Sequence, residues 1–443
     1  MKKRSSFAIS ILIIISLILT ACGGNKTATT SSAPNKTEAP AAAGATNDEA
    51  FTLKVGAWFL DDLPQSTDFK AASEAKFKEM YPNAKVEWDI LVSEKYFEKM
   101  KAELASGVGD DVIFNQNIPE LAKAGYLADL SDQPWVGTVL DATKPSITFE
   151  GKTYGAAQTV ATFGMFYNKK IFADLGIAAP KNWTELMDAS EKIKTAKIVP
   201  MVGGFKDQWT LSYLLSGLAE ITAQNPNLEA DYYNGKAKIN GPELQGAFAK
   251  LSEFAQKGYL NKSALSIDWP QTQIEFGSGK AAMLYQGNWL PGVMAQIFKD
   301  KGFTPFEVGF FPIADENGKI LMGVGPDHSV SVNAKSKHLQ AAKDFLALTL
   351  SQDVLSVNLK NVGLPGLKGI TASYDQPAMK EINDALQNNP TTLHQFIYGS
   401  FAKSAADGMV RMGEKIIAGE KAEGDLDEIQ KNYDKDKASI ILP

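Results

Sequence analysis

The chain has 443 residues, 45 Lys and Arg against 51 Asp and Glu, and an ordinary globular composition of 44% hydrophobic and 22% charged residues. That length exceeds one compact core and predicts two lobes or domains. The acidic balance, with no basic stripe, excludes nucleic acid as the partner, and a single cysteine, Cys22, excludes a disulfide framework.

In chain order, Lys2, Lys3 and Arg4 come first, then an apolar run from Phe7 to Leu19, then Thr20, Ala21 and Cys22. A basic start, a short apolar stretch and small residues at a cut site predict a secretory signal peptide over residues 1–21. The apolar run is too short to span a bilayer as a mature helix. The Leu19-Thr20-Ala21-Cys22 end resembles the bacterial lipobox. That resemblance implies lipid on Cys22 and a protein held at the outer face of the cell membrane, touching it through that anchor only. Residues 23–50 contain no aromatic residue and no Val, Ile, Leu or Met, so they cannot offset their ordering entropy by burial. Residues 22–50 therefore read as a flexible tether with a span of roughly 30 Å.

The globular body begins at Phe51. Thr52–Ala57 reads as a strand, and Phe69, Ala72, Phe77 and Met80 follow at helical spacing. Val86, Trp88 and Ile90 alternate with charged residues as in a strand, Phe97, Met100 and Leu104 return to helical spacing, and Val112–Phe114 is a short apolar strand before a helix carrying Leu121. Strand and helix in alternation predict crossover units and a largely parallel sheet, with ligands bound beyond the carboxyl ends of its strands. From Phe163 to Phe311 the pattern is richer in helix. Trp183–Lys197 reads as a helix capped by Asn182, and Leu244, Phe248, Leu251 and Phe254 form an apolar stripe. Ala281–Tyr285, Val308–Phe310 and Ser329–Val332 read as strands, Leu339–Leu350 as a helix, and the tail from Ser373 as helical.

The stretch Gly164-Met165-Phe166-Tyr167-Asn168-Lys169-Lys170-Ile171-Phe172-Ala173-Asp174, continued by Pro180-Lys181-Asn182-Trp183, resembles the signature of the extracellular solute-binding proteins, family 1, the capture components of ABC importers. Tyr81-Pro82-Asn83-Ala84-Lys85-Val86, Gly125-Tyr126-Leu127-Ala128-Asp129-Leu130, Gly279-Lys280-Ala281-Ala282-Met283, Gly287-Asn288-Trp289 and Ala341-Ala342-Lys343-Asp344-Phe345-Leu346 match in the family's order. The resemblance implies an α/β, two-lobed periplasmic-binding-protein-like fold of type II, with a hinge and an interlobe cleft. It places lobe one at residues 51–160 plus 328–366 and lobe two at 161–327 plus 367–443. Two loops depart from the family pattern: Asp110 stands where Pro is common, and Gly155-Ala156-Ala157-Gln158 replaces a Gly-hydrophobic-Pro turn. Both loops face the ligand in relatives, so the departures bear on ligand identity.

The resemblance implies a carbohydrate ligand, an oligosaccharide in particular, delivered to a membrane permease by a monomer. A sugar presents a C–H face and a rim of hydroxyls, and its site needs aromatic platforms with neutral amides and carboxylates. Trp289 with Asn288 matches a sugar-stacking position of relatives. Trp209 reads as part of a polar loop before a helix, and Trp58 ends the first strand. Asn115, Gln116 and Asn117 follow the strand Val112–Phe114. Gln158 lies near a lobe crossing, Asp327 and His328 in a loop that approaches the ligand in relatives, and Asp62 and Asp407 complete the candidates. Trp88, Trp135, Trp183 and Trp269 read as structural.

No cofactor or metal is expected, because His328, His338 and His394 show no metal-ligand spacing. No nucleophile elbow or phosphate-binding glycine loop occurs, so the chain reads as a non-enzyme. The competing readings are a binding protein for a polyol phosphate and a surface glycan-degrading enzyme. A phosphate ligand calls for clustered basic side chains, and Arg411 is the single arginine beyond the signal peptide.

Overall fold

The structure is a computed structural model. It describes residues 49–440 apart from 61–63, 92–93, 375 and 394–402. The signal peptide, Cys22, nearly all of the tether, Asp62 and His394 lie outside the described residues. Residues 47–443 form one compact unit.

The strands are β1 (Thr52–Ala57), β2 (Lys85–Ile90), β3 (Val112–Phe114), β4 (Thr148–Phe149), β5 (Lys152–Thr153), β6 (Gly155–Asn168), β7 (Val199–Met201), β8 (Ala281–Gly287), β9 (Val308–Phe311), β10 (Met322–Val332), β11 (Leu364–Pro365) and β12 (Thr391–Leu393). The main sheet runs β2-β1-β3-β10-β6-β8-β7, with β11 and β9 on β6 and β12 on β10. β1 pairs in parallel with β2 and β3, and β7 with β8, as crossover units require. The expectation of a largely parallel sheet is corrected at its centre, where β10 is antiparallel to both β3 and β6, and β6 is antiparallel to β8 and β9. The reason is topological. β10 comes back into the first sheet from the far part of the molecule, so it enters against the direction of its neighbours.

β6 joins two sheets. Its residues Gly155–Thr162 pair with β10, and Phe163–Tyr167 pair with β8. Burial follows the same division. Leu53, Val55, Phe69, Phe114, Trp135, Val330, Phe345 and Leu359 share one core. Beyond the crossing, alternate residues of β6 feed two further cores. Phe163 and Met165 pack with Leu211, Phe248, Met283 and Met409 on one face, while Phe166 packs with Leu284, Met294 and Phe310 on the other. β6 is covered on both faces, so most of its residues are apolar and every one but Tyr167 is buried. The division is not sharp in the chain: Val160 and Leu364 join the far cores, whereas Leu367 joins the first.

The helices fall close to where periodicity puts them: Pro64–Met80, Glu94–Ser106, Ile118–Lys123, Trp183–Thr195, Pro242–Gln256 and Leu339–Thr349. Asn182 caps its helix as expected, its side-chain oxygen accepting from the Glu185 N–H. The tail is helical over Pro377–Asn388, Lys403–Ile417 and Asp425–Asp436, but β12 interrupts it.

Candidate functional site

Register brings two sets of strand ends to the crossing. Phe114, the last residue of β3, pairs with Val330, which also faces Ala156 of β6, and β6 then runs on past the end of β3. From the other side, Gly287 at the carboxyl end of β8 pairs with Phe163, the first β6 residue beyond the crossing. The segments after β1 and β3 therefore meet the segment after β8 across the same short stretch of β6. This is the place where open α/β sheets bind ligands.

One aromatic group follows β1. Trp58 is half-buried, with its ring 5.3 Å from Phe59, 5.2 Å from Phe97 and 6.0 Å from His328. Phe59 stacks on the His328 imidazole, centroid to centroid at 3.6 Å and 12° from parallel. A second group lies beyond the crossing. Trp289 is half-buried and sits over the end of β8, where a side chain on Gly287 would meet its indole at 2.4 Å, so glycine is needed there. Its ring lies 5.6 Å from Phe163 and 6.2 Å from both Tyr213 and Trp209. Trp269 extends the wall, edge to face with Trp209 at 5.8 Å.

Trp209 differs from its expected setting. It lies in the first turn of the helix Gln208–Ala223, not in a loop. Trp269, read as structural, opens the helix Trp269–Gly277 beside it. The two helix starts are tied together: the Asp207 carboxylate accepts the Trp269 N–H at 2.8 Å, and Asp268 caps its own helix through a reciprocal bond pair with Gln271. Two aspartates each followed closely by tryptophan were the available signal for this pairing. Phe59 and Tyr213 carried no such signal, since an aromatic on an apolar stripe looks the same in a wall and in a core.

The polar candidates separate by what already holds them. The Asn288 amide is spent on the crossing, its Oδ1 accepting the Thr162 N–H at 2.9 Å and its Nδ2 donating to the Val160 carbonyl at 3.4 Å. Gln158 is fully buried within β6, donating to Thr349 Oγ1 at 2.7 Å and accepting from Asn358 at 3.4 Å. Asn115 is fully buried and donates to the Ile113 carbonyl and to Ser331 Oγ, while its Oδ1 has no partner among the described residues. Gln116 and Asn117 remain half-exposed, and Asn117 makes no side-chain capping bond to the helix that follows it. Asp327 and His328 are each 7% exposed. Burial pushes the His328 imidazole below its ordinary value, against the pull of Asp327. Asp407 forms an ion pair with Lys403 one helical turn away, on the surface.

Asp89, Glu103 and Asp110 bring carboxylate oxygens within 4.8 Å of one another. The Lys99 ammonium compensates part of this charge, bonded to Asp89 and 3.8 Å from Glu103. Burial first, then Asp89 and Glu103, push the Asp110 carboxyl up to about 7.

Residues 62–354 match the family described as bacterial extracellular solute-binding protein. The multiple sugar-binding protein of Streptococcus mutans is 26% identical over 291 residues, 63% of this chain and 67% of that protein. A maltooligosaccharide ABC transporter solute-binding lipoprotein of Streptococcus pneumoniae is 26% identical over 379 residues, 80% and 78% of the two chains. Among solved structures, a chitin oligosaccharide binding protein superposes with a TM-score of 0.76 at 23% identity, covering 88% of this chain and 99% of the other. The fold is accordingly the two-domain α/β fold of periplasmic binding proteins. With two thirds of its length matched and its strand ends converging on one crossing, the chain belongs to the bacterial extracellular solute-binding proteins.

Proposed function

We propose that this protein captures a neutral carbohydrate, an oligosaccharide in particular, between two lobes and delivers it to the permease of an ABC importer, without covalent chemistry. The observation that carries this is the pair of aromatic groups on either side of the crossing, Trp209, Trp269 and Trp289 opposite Trp58 and Phe59. Indole faces stack on sugar C–H faces, and half-buried indoles at a cleft have a face to offer. Gln116 and Asn117 offer hydroxyl partners at the same edge. Asn288, Gln158 and Asn115 support that edge from inside. The names of the relatives agree with a sugar ligand, and the single mature arginine argues against a phosphorylated one.

The lobes are residues 51–160 plus 328–366 and 161–327 plus 367–443, a division supported by the separate cores. The crossings β6, β10 and β11 form the hinge, and ligand shifts it toward the closed form. The lipobox supports attachment to the outer face of the membrane through Cys22, and the body acts as a monomer. A thermal-shift panel of neutral oligosaccharides and phosphorylated polyols tests the reading, because a ligand that binds only the folded state raises the unfolding midpoint. A midpoint raised by phosphorylated polyols alone, or glycan reducing ends released over time, overturns it.

A further inference from the structure

Four buried side chains make a continuous polar relay through the crossing. Thr349, Gln158, Asn358 and His328 are 0%, 0%, 5% and 7% exposed. They come from the end of the helix Leu339–Thr349, from β6, from the helix Gln352–Val362 and from β10. The relay has a direction, and one carbonyl sets it. Thr349 donates its hydroxyl proton to the Leu346 carbonyl at 2.7 Å, and a hydroxyl has only one proton. Toward Gln158 it therefore accepts, and Gln158 Nε2 donates at 2.7 Å. That turns Gln158 Oε1 toward Asn358, whose Nδ2 donates to it at 3.4 Å. The same Nδ2 lies 3.3 Å from His328 Nδ1. An amide nitrogen brings only protons, so Nδ1 must offer a lone pair and the ring proton sits on Nε2.

The ring is gripped elsewhere too. His328 holds a left-handed backbone at φ 43°, stacks on Phe59 and meets the edge of Trp58. Nε2 faces Asp327 Oδ2 at 3.8 Å. Asp327 is the charged group that acts on the imidazole among the described residues; the two helices and β6 bring Thr349, Asn358 and Gln158, which are neutral, and the segment after β1 brings rings. A proton on Nδ1 would set donor against donor at Asn358. Turning the Asn358 amide over to accept it would break the bond to Gln158.

We propose that Asn358 is a positioning residue: it fixes His328 as the neutral Nε2–H tautomer and, through that ring, sets the Trp58–Phe59 platform of the cleft. Protonation of His328 uncouples the platform from the crossing strands. The consequence for ligand binding rests on the carbohydrate-cleft reading, whereas the tautomer and its coupling to Trp58 do not.

The test is long-range imidazole 1H–15N correlation on the 15N-labelled full chain without ligand, from about pH 5 to pH 8, a range spanning the ordinary histidine titration. The chain has three histidines, and His328→Asn identifies the signal; asparagine tolerates the left-handed backbone and keeps an acceptor near the place of Nδ1. The expected wild-type pattern is Nε2–H, with the ring taking up its second proton below the ordinary histidine range. Asn358→Asp supplies an acceptor to Nδ1–H, and should raise the proton affinity of His328 at least about tenfold. The Trp58 indole N–H resonance, identified with Trp58→Phe, should move in step with the His328 titration. A wild-type ring protonated on Nδ1, a titration at the ordinary value, or a Trp58 signal indifferent to it overturns the proposal. The wild-type tautomer decides the role of Asn358 even if Asn358→Asp does not fold, and carrying the wild-type series further into acid until the ring titrates decides its coupling to Trp58. Because no sugar is added, a failed ligand screen leaves this outcome unaffected, and the reverse also holds.

Discussion

Asp110→Asn is expected to stabilise the protein at neutral and alkaline pH and to do little in acid. Asp110 is 9% exposed, and its carboxylate reaches so close to β1 that a side chain on Gly56 would meet it at 2.4 Å and the Tyr96 hydroxyl at 2.8 Å. Burial, Asp89 and Glu103 raise its carboxyl from 3.8 to about 7. A raised carboxyl binds its proton more tightly in the folded state than in the unfolded chain. The stability it contributes is complete below the unfolded value, near 4, and is lost as pH rises through the folded value, near 7. Three units correspond to about 4 kcal/mol at 1.36 kcal/mol per unit. Solvent screening at a carboxylate that keeps some access to water reduces this to about 2 kcal/mol. Asparagine matches the shape, carries no charge, and can donate to Asp89 or Glu103. Urea unfolding of both proteins at about pH 4 and about pH 8 reads the difference. The variant should gain about 2 kcal/mol over wild type at the higher pH and nearly nothing at the lower. An equal gain at both pH values, or a loss at pH 8, would refute the electrostatic account.

Trp289→Ala should weaken binding of a sugar found in the thermal-shift panel by about 2–3 kcal/mol, roughly a thirty- to two-hundredfold rise in Kd by calorimetry. If the variant melts far earlier yet binds normally while folded, Trp289 is a packing residue. Ligand saturation should lower the radius of gyration of the body in small-angle scattering, since two lobes rotate about a hinge; superposable profiles favour a fixed cleft. Cys22→Ala should abolish metabolic labelling by fatty acid, and a labelled variant removes the lipobox from the account.

Much of the fold was legible because it is written in local patterns. β1 and β3 carry burial every second residue or throughout, and the helix Pro242–Gln256 buries Leu244, Phe248, Leu251 and Phe254, spaced at one helical face. The mixed sheet was not legible, because the direction of β10 is decided by a connection of more than a hundred residues. The site was legible in residue type and less so in role. Asn288, Gln158 and Asn115 are the same chemistry as Gln116 and Asn117. The first three spend their amides on Thr162, Thr349 and Ser331, partners far away in sequence that periodicity does not reveal. Trp269 and Trp209 illustrate the converse. They are sixty residues apart and look unrelated until Asp207 ties the two helix starts together.

The central position of β10 also has a bearing on how the chain reaches this structure. β3 ends at Phe114, and its neighbour on one side, Val330–Val332, comes more than two hundred residues later. Until that segment arrives, β1, β2 and β3 form a three-stranded ribbon with an open apolar edge. Pairings so distant in sequence close slowly, because the entropy of the long intervening loop is lost before any contact rewards it. The strands β6, β8 and β9 pair across shorter connections, within about 150 residues of one another, and close ahead of the pairing that β3 awaits. Refolding from urea should therefore proceed in two stages, with indole fluorescence around Trp209 and Trp289 recovering before that of Trp88, and a chain ended before Met322 should aggregate through the exposed edge of β3.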